Sequence, residues 1–122
     1  MTKKQQKALE QCTDGCIGKR VYFKHKGTTV RYLLGTVDDV VSIITADYNH
    51  MIQRIRLSPE IAREWNAKYA FRTCYYTLTR ETRKPAWGQY HALVSEQNFR
   101  RLAKKANEKG WLGLGDVMSP RR

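Results

Sequence analysis

Residues 20–57 read RVYFKHKGTTVRYLLGTVDDVVSIITADYNHMIQRIRL, and this stretch decides the fold that the sequence predicts. Short runs rich in valine, isoleucine and aromatic residues follow one another here, with glycine or aspartate between them. Runs of this kind separated by turn residues are typical of consecutive antiparallel strands. We therefore predict four strands, over residues 21–23, 29–37, 40–46 and 51–57.

The last predicted strand carries the clearest signal, because apolar and polar side chains alternate along it. Its odd-numbered positions are mainly apolar, whereas Arg54 and Arg56 occupy even-numbered ones. Alternation with a period of two indicates a strand with one buried face. Within the second strand, Gly35 indicates a bulge or a sharp bend. Asp38-Asp39 and residues 47–50 are expected to form turns.

The layout of residues 19–57 resembles a small SH3-like barrel of the Tudor or chromo-like kind. The resemblance rests on Lys26-Gly27 after the first strand and on the segment from Gly35 to Asp39 at the second bend. It implies a shape only, since barrels of this kind bind nucleic acid, methylated peptides or proteins in different families. No more specific family is indicated.

Helix and strand signals extend outward on both sides of this region. Residues 3–12 are predicted as a short polar helix. Ser58 and Pro59 begin a second helix, because serine favours the cap position and proline the first turn; it runs to about residue 68, with Trp65 on its apolar side. Residues 70–80 and 86–94 are predicted as the two strands of a long hairpin.

The most regular helix of the sequence follows Ser95. Its apolar positions recur at helical spacing and form one stripe, consisting of Phe99, Leu102, Ala103 and Ala106. Gly110 is the expected left-handed stop, and Trp111 is placed to contact the last turn. The predicted fold class is therefore α+β: a small curled antiparallel sheet or SH3-like barrel, then a helix, a β-hairpin and a C-terminal amphipathic helix.

Length and charge bound the function. The 122 residues suit one domain, which we divide into an N-terminal helix or arm (1–18), an α+β domain (19–112) and a tail (113–122). The formal net charge is +12, and no single segment holds most of it. A surface of this sign attracts polyanions, so the sequence predicts a nucleic-acid-binding accessory or regulatory protein. It does not distinguish DNA from RNA.

Two surfaces are candidate binding sites. Arginine supplies phosphate contacts, and aromatic rings stack on bases. The predicted strands and their turns combine both residue types, in Lys24, Lys26, Arg31, Arg54, Arg56, Arg72, Tyr76 and Trp87. The last helix presents a basic face opposite its apolar stripe, with Arg100, Arg101, Lys104 and Lys105 as its candidate contacts.

Two other functions remain open at this stage. A positively charged face also fits an acidic protein partner, so the chain could be a subunit or inhibitor of a larger complex. The histidines, His25, His50 and His91, could instead serve a small basic nuclease as acid–base groups. No recognisable catalytic motif surrounds them, so no catalytic residue is predicted.

The remaining residue patterns predict neither a cofactor nor a membrane contact. Cys12 and Cys16 form one close pair, whereas a structural zinc site usually needs two such pairs, so no metal site is predicted. The odd number of cysteines favours reduced thiols and a cytoplasmic protein. The longest apolar run is far shorter than a membrane span.

Overall fold

The structure of the protein is a computed structural model that describes residues 1–24, 27, 29–88 and 95–111. Its elements are α1 (Lys3–Gly15), β1 (Arg20–Lys24), β2 (Arg31–Thr45), β3 (Tyr48–Leu57), α2 (Pro59–Trp65), β4 (Tyr69–Leu78), β5 (Pro85–Gly88) and α3 (Glu96–Glu108). The strands form one antiparallel sheet in the order β1-β2-β3-β4-β5. The sheet curls into a half-barrel, which confirms the α+β class and the curled sheet.

The turn predicted at Asp38-Asp39 is wrong, because β2 continues through it as one strand of 15 residues. Val37 pairs with Ile55 and Asp39 pairs with Arg54, so Asp38 is the extra residue of a bulge. The carboxylate of Asp38 accepts a hydrogen bond from Arg54 Nε at 2.9 Å instead of capping a turn. Residues 20–57 therefore form three strands, and the prediction of four strands in this region is wrong.

The turn predicted over residues 47–50 is shifted toward the N-terminus. β2 ends at Thr45 and β3 begins at Tyr48, so only Ala46 and Asp47 connect them. Ala46 adopts a φ of 50°, in the left-handed region that tight hairpin turns require. Asn49 and His50, expected in the turn, are buried strand residues. Asn49 pairs with Ile44 and His50 pairs with Ile43 across the hairpin. This strand pairing outweighs the preference of the two residues for turns.

Gly35 lies beside the irregularity that the sequence predicts. Val21 pairs with Gly35 and Tyr22 pairs with Leu33, so the register shifts by one residue between these two pairs. A Cβ atom on Gly35 would collide with the backbone carbonyl of Arg56 on β3. The close approach of two backbones at this bend therefore requires glycine.

The N-terminal helix, α1, packs on the sheet and is longer than predicted. Thr2 and Gln5 form a reciprocal capping box at its start. Leu9 is fully buried. The buried amide of Asn49 donates hydrogen bonds to the Leu9 carbonyl at 2.6 Å and to Thr13 Oγ1 at 3.0 Å. This side chain fixes α1 against β3.

The second helix, α2, differs from its prediction in three respects. It ends at Trp65, and Asn66 follows in the left-handed conformation at φ 50°. The Ser58 hydroxyl donates to the Leu33 carbonyl at 3.0 Å and makes no capping hydrogen bond. Trp65 is 51% exposed, so Ile61 is the buried apolar residue of this helix.

The third helix, α3, follows its prediction closely. Ser95 Oγ accepts from the Asn98 backbone N–H at 3.1 Å. Leu102, Ala103 and Ala106 are buried, and Phe99 is half-buried. Gly110 adopts a φ of 75° after the helix. Trp111 then folds back, with its backbone N–H donating to the Ala106 carbonyl at 3.2 Å.

The two faces of the sheet have separate cores. On the concave face, Cys16 at the end of α1 packs with sheet residues that include Val37, Met51 and Cys74. On the convex face, α3 and Trp111 cover Val41, Ile43 and Ile52. Part of the predicted hairpin (89–94), Lys26 and the predicted tail (113–122) lie outside the described residues. Within the described ranges, no helix has the length and apolar character to cross a membrane.

Candidate functional site

The concave face of the half-barrel contains an open groove of about 770 Å³. All five strands and the end of α1 contribute to its walls. The lining residues are Cys16, Lys19, Arg20, Val21, Tyr22, Phe23, Lys24, Arg31, Val37, Gln53, Arg72, Tyr76 and Trp87. Basic and aromatic side chains predominate among them, so the groove is the strongest candidate site on the described surface.

Strand register brings the polar and aromatic parts of the groove together. Gln53 on β3 pairs with Arg72 on β4, and Tyr76 on β4 pairs with Trp87 on β5. Directly paired residues of antiparallel strands project from the same face. Arg72 and Tyr76 are four residues apart on one strand, so these four side chains share the concave face.

The groove is strongly positive. Five of its lining residues are cations, namely Lys19, Arg20, Lys24, Arg31 and Arg72. No lining residue is an aspartate or a glutamate. Among the described residues, none of these five forms an ion pair. A concave surface with charge of one sign concentrates its field and attracts ligands of the opposite sign.

A neutral side chain holds Arg72 in place. Gln53 is 1% exposed, and its Oε1 accepts hydrogen bonds from Arg72 Nε at 3.0 Å and from Nη2 at 2.6 Å. The guanidinium lies 5.1 Å from the centre of the Trp87 ring. The amide fixes the orientation of Arg72 without neutralising its charge, so the full positive charge remains available to a ligand.

A second pair of arginine and aromatic ring lies at the other rim. The Arg31 guanidinium is 4.4 Å from the centre of the Tyr22 ring. Tyr22 is 40% exposed and Trp87 is 41% exposed. β1 and β5 are the two edge strands of the sheet. Val21 belongs to the concave core, so Tyr22, the next residue of β1, projects from the other face of this edge strand. Of the two exposed rings, that of Trp87 projects from the concave face.

The floor of the groove is uncharged. Tyr76 packs edge-on against Trp87, with ring centres 5.2 Å apart. Burial, together with the neighbouring Cys16 and Cys12 thiols, raises the pKa of Tyr76 to about 12. Burial likewise raises the pKa of the Cys74 thiol to about 12. The phenol and this thiol are therefore neutral near pH 7, and they add no negative charge to the groove.

The structure does not bring Arg54 and Arg56 to the groove, which corrects the idea of a single sheet platform. Arg54 follows Gln53 on β3 and therefore projects from the convex face. It forms an ion pair with Asp38 at 2.9 Å and lies 4.3 Å from the centre of the Tyr69 ring. Arg56 is exposed and pairs with Tyr69 on the same face.

The basic face of α3 also lies on the convex side, where neighbouring groups engage several of its cations. Arg100 forms an ion pair with Glu96 at 2.7 Å, and Arg101 Nη1 donates to Asn98 Oδ1 at 3.4 Å. Lys105 Nζ donates to the Ser42 carbonyl at 2.6 Å. Lys104 is exposed. This face is separate from the groove.

Sequence reasoning missed eight of the lining residues, of which Lys19, Arg20, Tyr22, Phe23 and Gln53 are polar or aromatic. Lys19 and Arg20 stand next to the first predicted strand, so adjacency in the sequence could have suggested them. Gln53 carried no such signal, because only the pairing of β3 with β4 places it under Arg72.

Of the three histidines, His50 alone lies among the described residues. It is 8% exposed and its ring stacks on Tyr48, with ring centres 5.5 Å apart. Burial lowers its pKa. It follows Asn49, which faces α1 on the concave side, so His50 projects from the convex face, away from the groove. Within the described ranges, no group of three potential metal-ligating side chains occurs.

The groove therefore offers unneutralised guanidinium and ammonium groups beside exposed rings, a combination that suits phosphates and planar bases. The described lining residues include no aspartate, glutamate or histidine. Comparison with family models, with curated proteins and with solved structures found no match to this chain.

Proposed function

We propose that this protein binds nucleic acid in the concave groove, as an accessory or regulatory factor. The observation that carries the proposal is the lining itself: five cations and no acidic residue line one cavity together with the exposed Trp87 ring. Phosphates supply most of the affinity in complexes of this kind, and cations held beside aromatic rings match that chemistry.

The arrangement of charge favours the groove, and not the basic face of α3, as the binding site. Arg72 is oriented by the neutral amide of Gln53, whereas Arg100 on α3 is already paired with Glu96. A cation that has a carboxylate partner must exchange that partner before it contacts a phosphate. The groove cations bind phosphate without this exchange, so we expect them to dominate the affinity.

The first experiment compares two double variants that remove the same charge. Lys19→Ala with Arg72→Ala alters the groove, and Arg100→Ala with Arg101→Ala alters α3. Binding of labelled oligonucleotides is followed by fluorescence anisotropy over a range of salt concentrations. For the unaltered protein we expect log K against log salt to have a slope of magnitude about 3 to 6.

We expect the groove variant to reduce that slope by about 2 and the affinity about tenfold or more, since two phosphate contacts are lost. The matched α3 variant should change the affinity less than about twofold. A loss confined to the α3 variant would move the site to that helix. Failure of every polynucleotide to bind at low salt would refute the proposal.

The same assay tests the two other functions. Polyglutamate serves as a competitor, because a groove that prefers an acidic protein would release the oligonucleotide to it at equal charge concentration. We expect polynucleotide to compete far better than polyglutamate. The length of the labelled RNA is checked after incubation, and shortened products would favour a nuclease.

A further inference from the structure

We infer that the groove takes a single-stranded polynucleotide and excludes the double helix. This inference rests on the proposed function and specifies its ligand. It follows from the concave shape of the site and from the exposed Trp87 ring that lies in it beside Arg72.

The shape of the site favours a ligand that enters it. A protein reads a duplex by inserting a helix or a β-ribbon into one of the duplex grooves. Here the relation is inverted, because Arg72 and Gln53 line the inner wall of a half-barrel. A single strand is thin and flexible enough to enter such a cavity, whereas the phosphates of a rigid duplex would meet only its rim.

The Trp87 ring gives the second reason. In a duplex both faces of each base are covered by its neighbours, whereas the bases of a single strand are free to stack on protein side chains. Trp87 keeps 41% of its surface exposed although it lines the groove beside Arg72. A binding site for phosphate alone has no use for an exposed ring in this position.

Arg72 and Trp87 are placed to hold neighbouring parts of one nucleotide strand. They lie on the adjacent strands β4 and β5, and the guanidinium is 5.1 Å from the centre of the ring. A phosphate that contacts Arg72 therefore brings a base of the same strand within reach of the exposed Trp87 ring, beside the neutral Tyr76.

Direct competition tests the ligand class. Oligothymidylate and oligouridylate of about ten nucleotides compete with duplex DNA and duplex RNA of the same length for the full-length protein. We expect either single strand to bind at least about tenfold more tightly than the duplexes. The ratio between the two single strands identifies the preferred sugar.

Trp87 provides the site-specific test, and Trp65 provides its control, because both are exposed but only Trp87 lines the groove. Trp87→Ala should weaken single-strand binding about fivefold or more and leave duplex binding unchanged. Trp65→Ala should change neither. In Trp87→Phe, which keeps a stacking ring, affinity should persist while the quenching of tryptophan fluorescence on binding is lost.

The results separate the inference from the function on which it rests. Equal or tighter binding of duplex, or equal losses for Trp87→Ala and Trp65→Ala, would overturn the inference and leave nucleic-acid binding intact. Fluorescence quenching that persists in Trp87→Phe would also overturn it. Failure of all four polynucleotides to bind would remove both.

Discussion

Arg54 and Arg72 lie on neighbouring strands of one sheet, and they illustrate how its two faces differ. On the convex face, Arg54 is paired with the carboxylate of Asp38 at 2.9 Å. On the concave face, Arg72 is held by the neutral amide of Gln53 at 2.6 Å. Both guanidinium groups also lie over aromatic rings, those of Tyr69 and Trp87. The two guanidinium groups make similar contacts, but only the charge of Arg54 is neutralised by its partner.

The difference extends to the surroundings of the two arginines. The convex face is covered by α3 and by Trp111, whose Nε1 donates to Asp39 at 3.0 Å. The concave face is covered by α1 at one end and is open over the groove. The convex face thus holds a closed core and a carboxylate partner for Arg54, whereas Arg72 on the concave face keeps an uncompensated charge beside the open groove. This contrast is the reason why the proposed polyanion site is assigned to the concave face.

The largest expected effect is a loss of protein stability that differs between two tryptophan variants. Trp111 is 2% exposed and Trp87 is 41% exposed. We expect Trp111→Ala to lower the free energy of unfolding by about 3–5 kcal/mol, because it empties the convex core. Trp87→Ala should cost about 1 kcal/mol or less. Urea unfolding measures both, and equal losses would mean that Trp87 is a structural residue.

The second prediction exchanges the anchors of the two arginines. Gln53→Glu gives Arg72 a carboxylate partner, as Arg54 has, and Asp38→Asn gives Arg54 a neutral one. We expect Gln53→Glu to weaken polynucleotide binding about 5- to 10-fold and to lower the salt slope by about 1. Asp38→Asn should leave affinity within about twofold. A larger effect of Asp38→Asn in the binding assay would place the site on the convex face.

The smallest expected effect is the acid sensitivity of the convex face. Burial by itself would raise the pKa of Asp39, but hydrogen bonds from Trp111, the Val40 backbone and Lys109 outweigh it, so the pKa lies below its usual value. The stabilisation is fully present above the pKa of the unfolded chain, near 4. It is lost as pH falls through the lower folded value.

Thermal unfolding from pH 7 to pH 2 tests this linkage against the variant Asp39→Asn. We expect the difference in stability between the two proteins to shrink below about pH 4, where the wild-type carboxylate becomes protonated. Burial lowers the pKa of His50, so this residue destabilises both proteins as pH falls below its unfolded pKa near 6.5, and its contribution cancels in the comparison. A difference that stays constant with pH would contradict the assigned hydrogen bonds.

Local patterns predicted much of the fold. The stripe of α3, its cap at Ser95 and its stop at Gly110 depend on residues within one helix, and the structure confirms them. The irregularity at Gly35 is confirmed as well. The turn at Asp38-Asp39 was wrong because its two carboxylates bond to distant partners, Arg54 on β3 and Trp111 after α3. No local signal reports such contacts.

The candidate site was likewise predicted only in part. Arg31, Arg72, Tyr76 and Trp87, together with Lys24, were named from residue type, and the structure brings them to one groove. Arg54 and Arg56 were named for the same reason, but the structure places them on the opposite face. Their separation from Arg72 depends on how β3 pairs with β4, and residue type carries no information about that register.

The sequence by itself determined the α+β class, the positions of most helices and strands, and a net charge of +12, on which the prediction of a polyanionic partner rests. Only the tertiary structure decided which of the cations have a carboxylate neighbour that neutralises their charge. Pairing of β3 with β4 put Gln53 beneath Arg72, and the bulge at Asp38 put a carboxylate beside Arg54. A formal charge is a property of a residue, but whether it is neutralised depends on neighbours that folding brings from elsewhere in the chain.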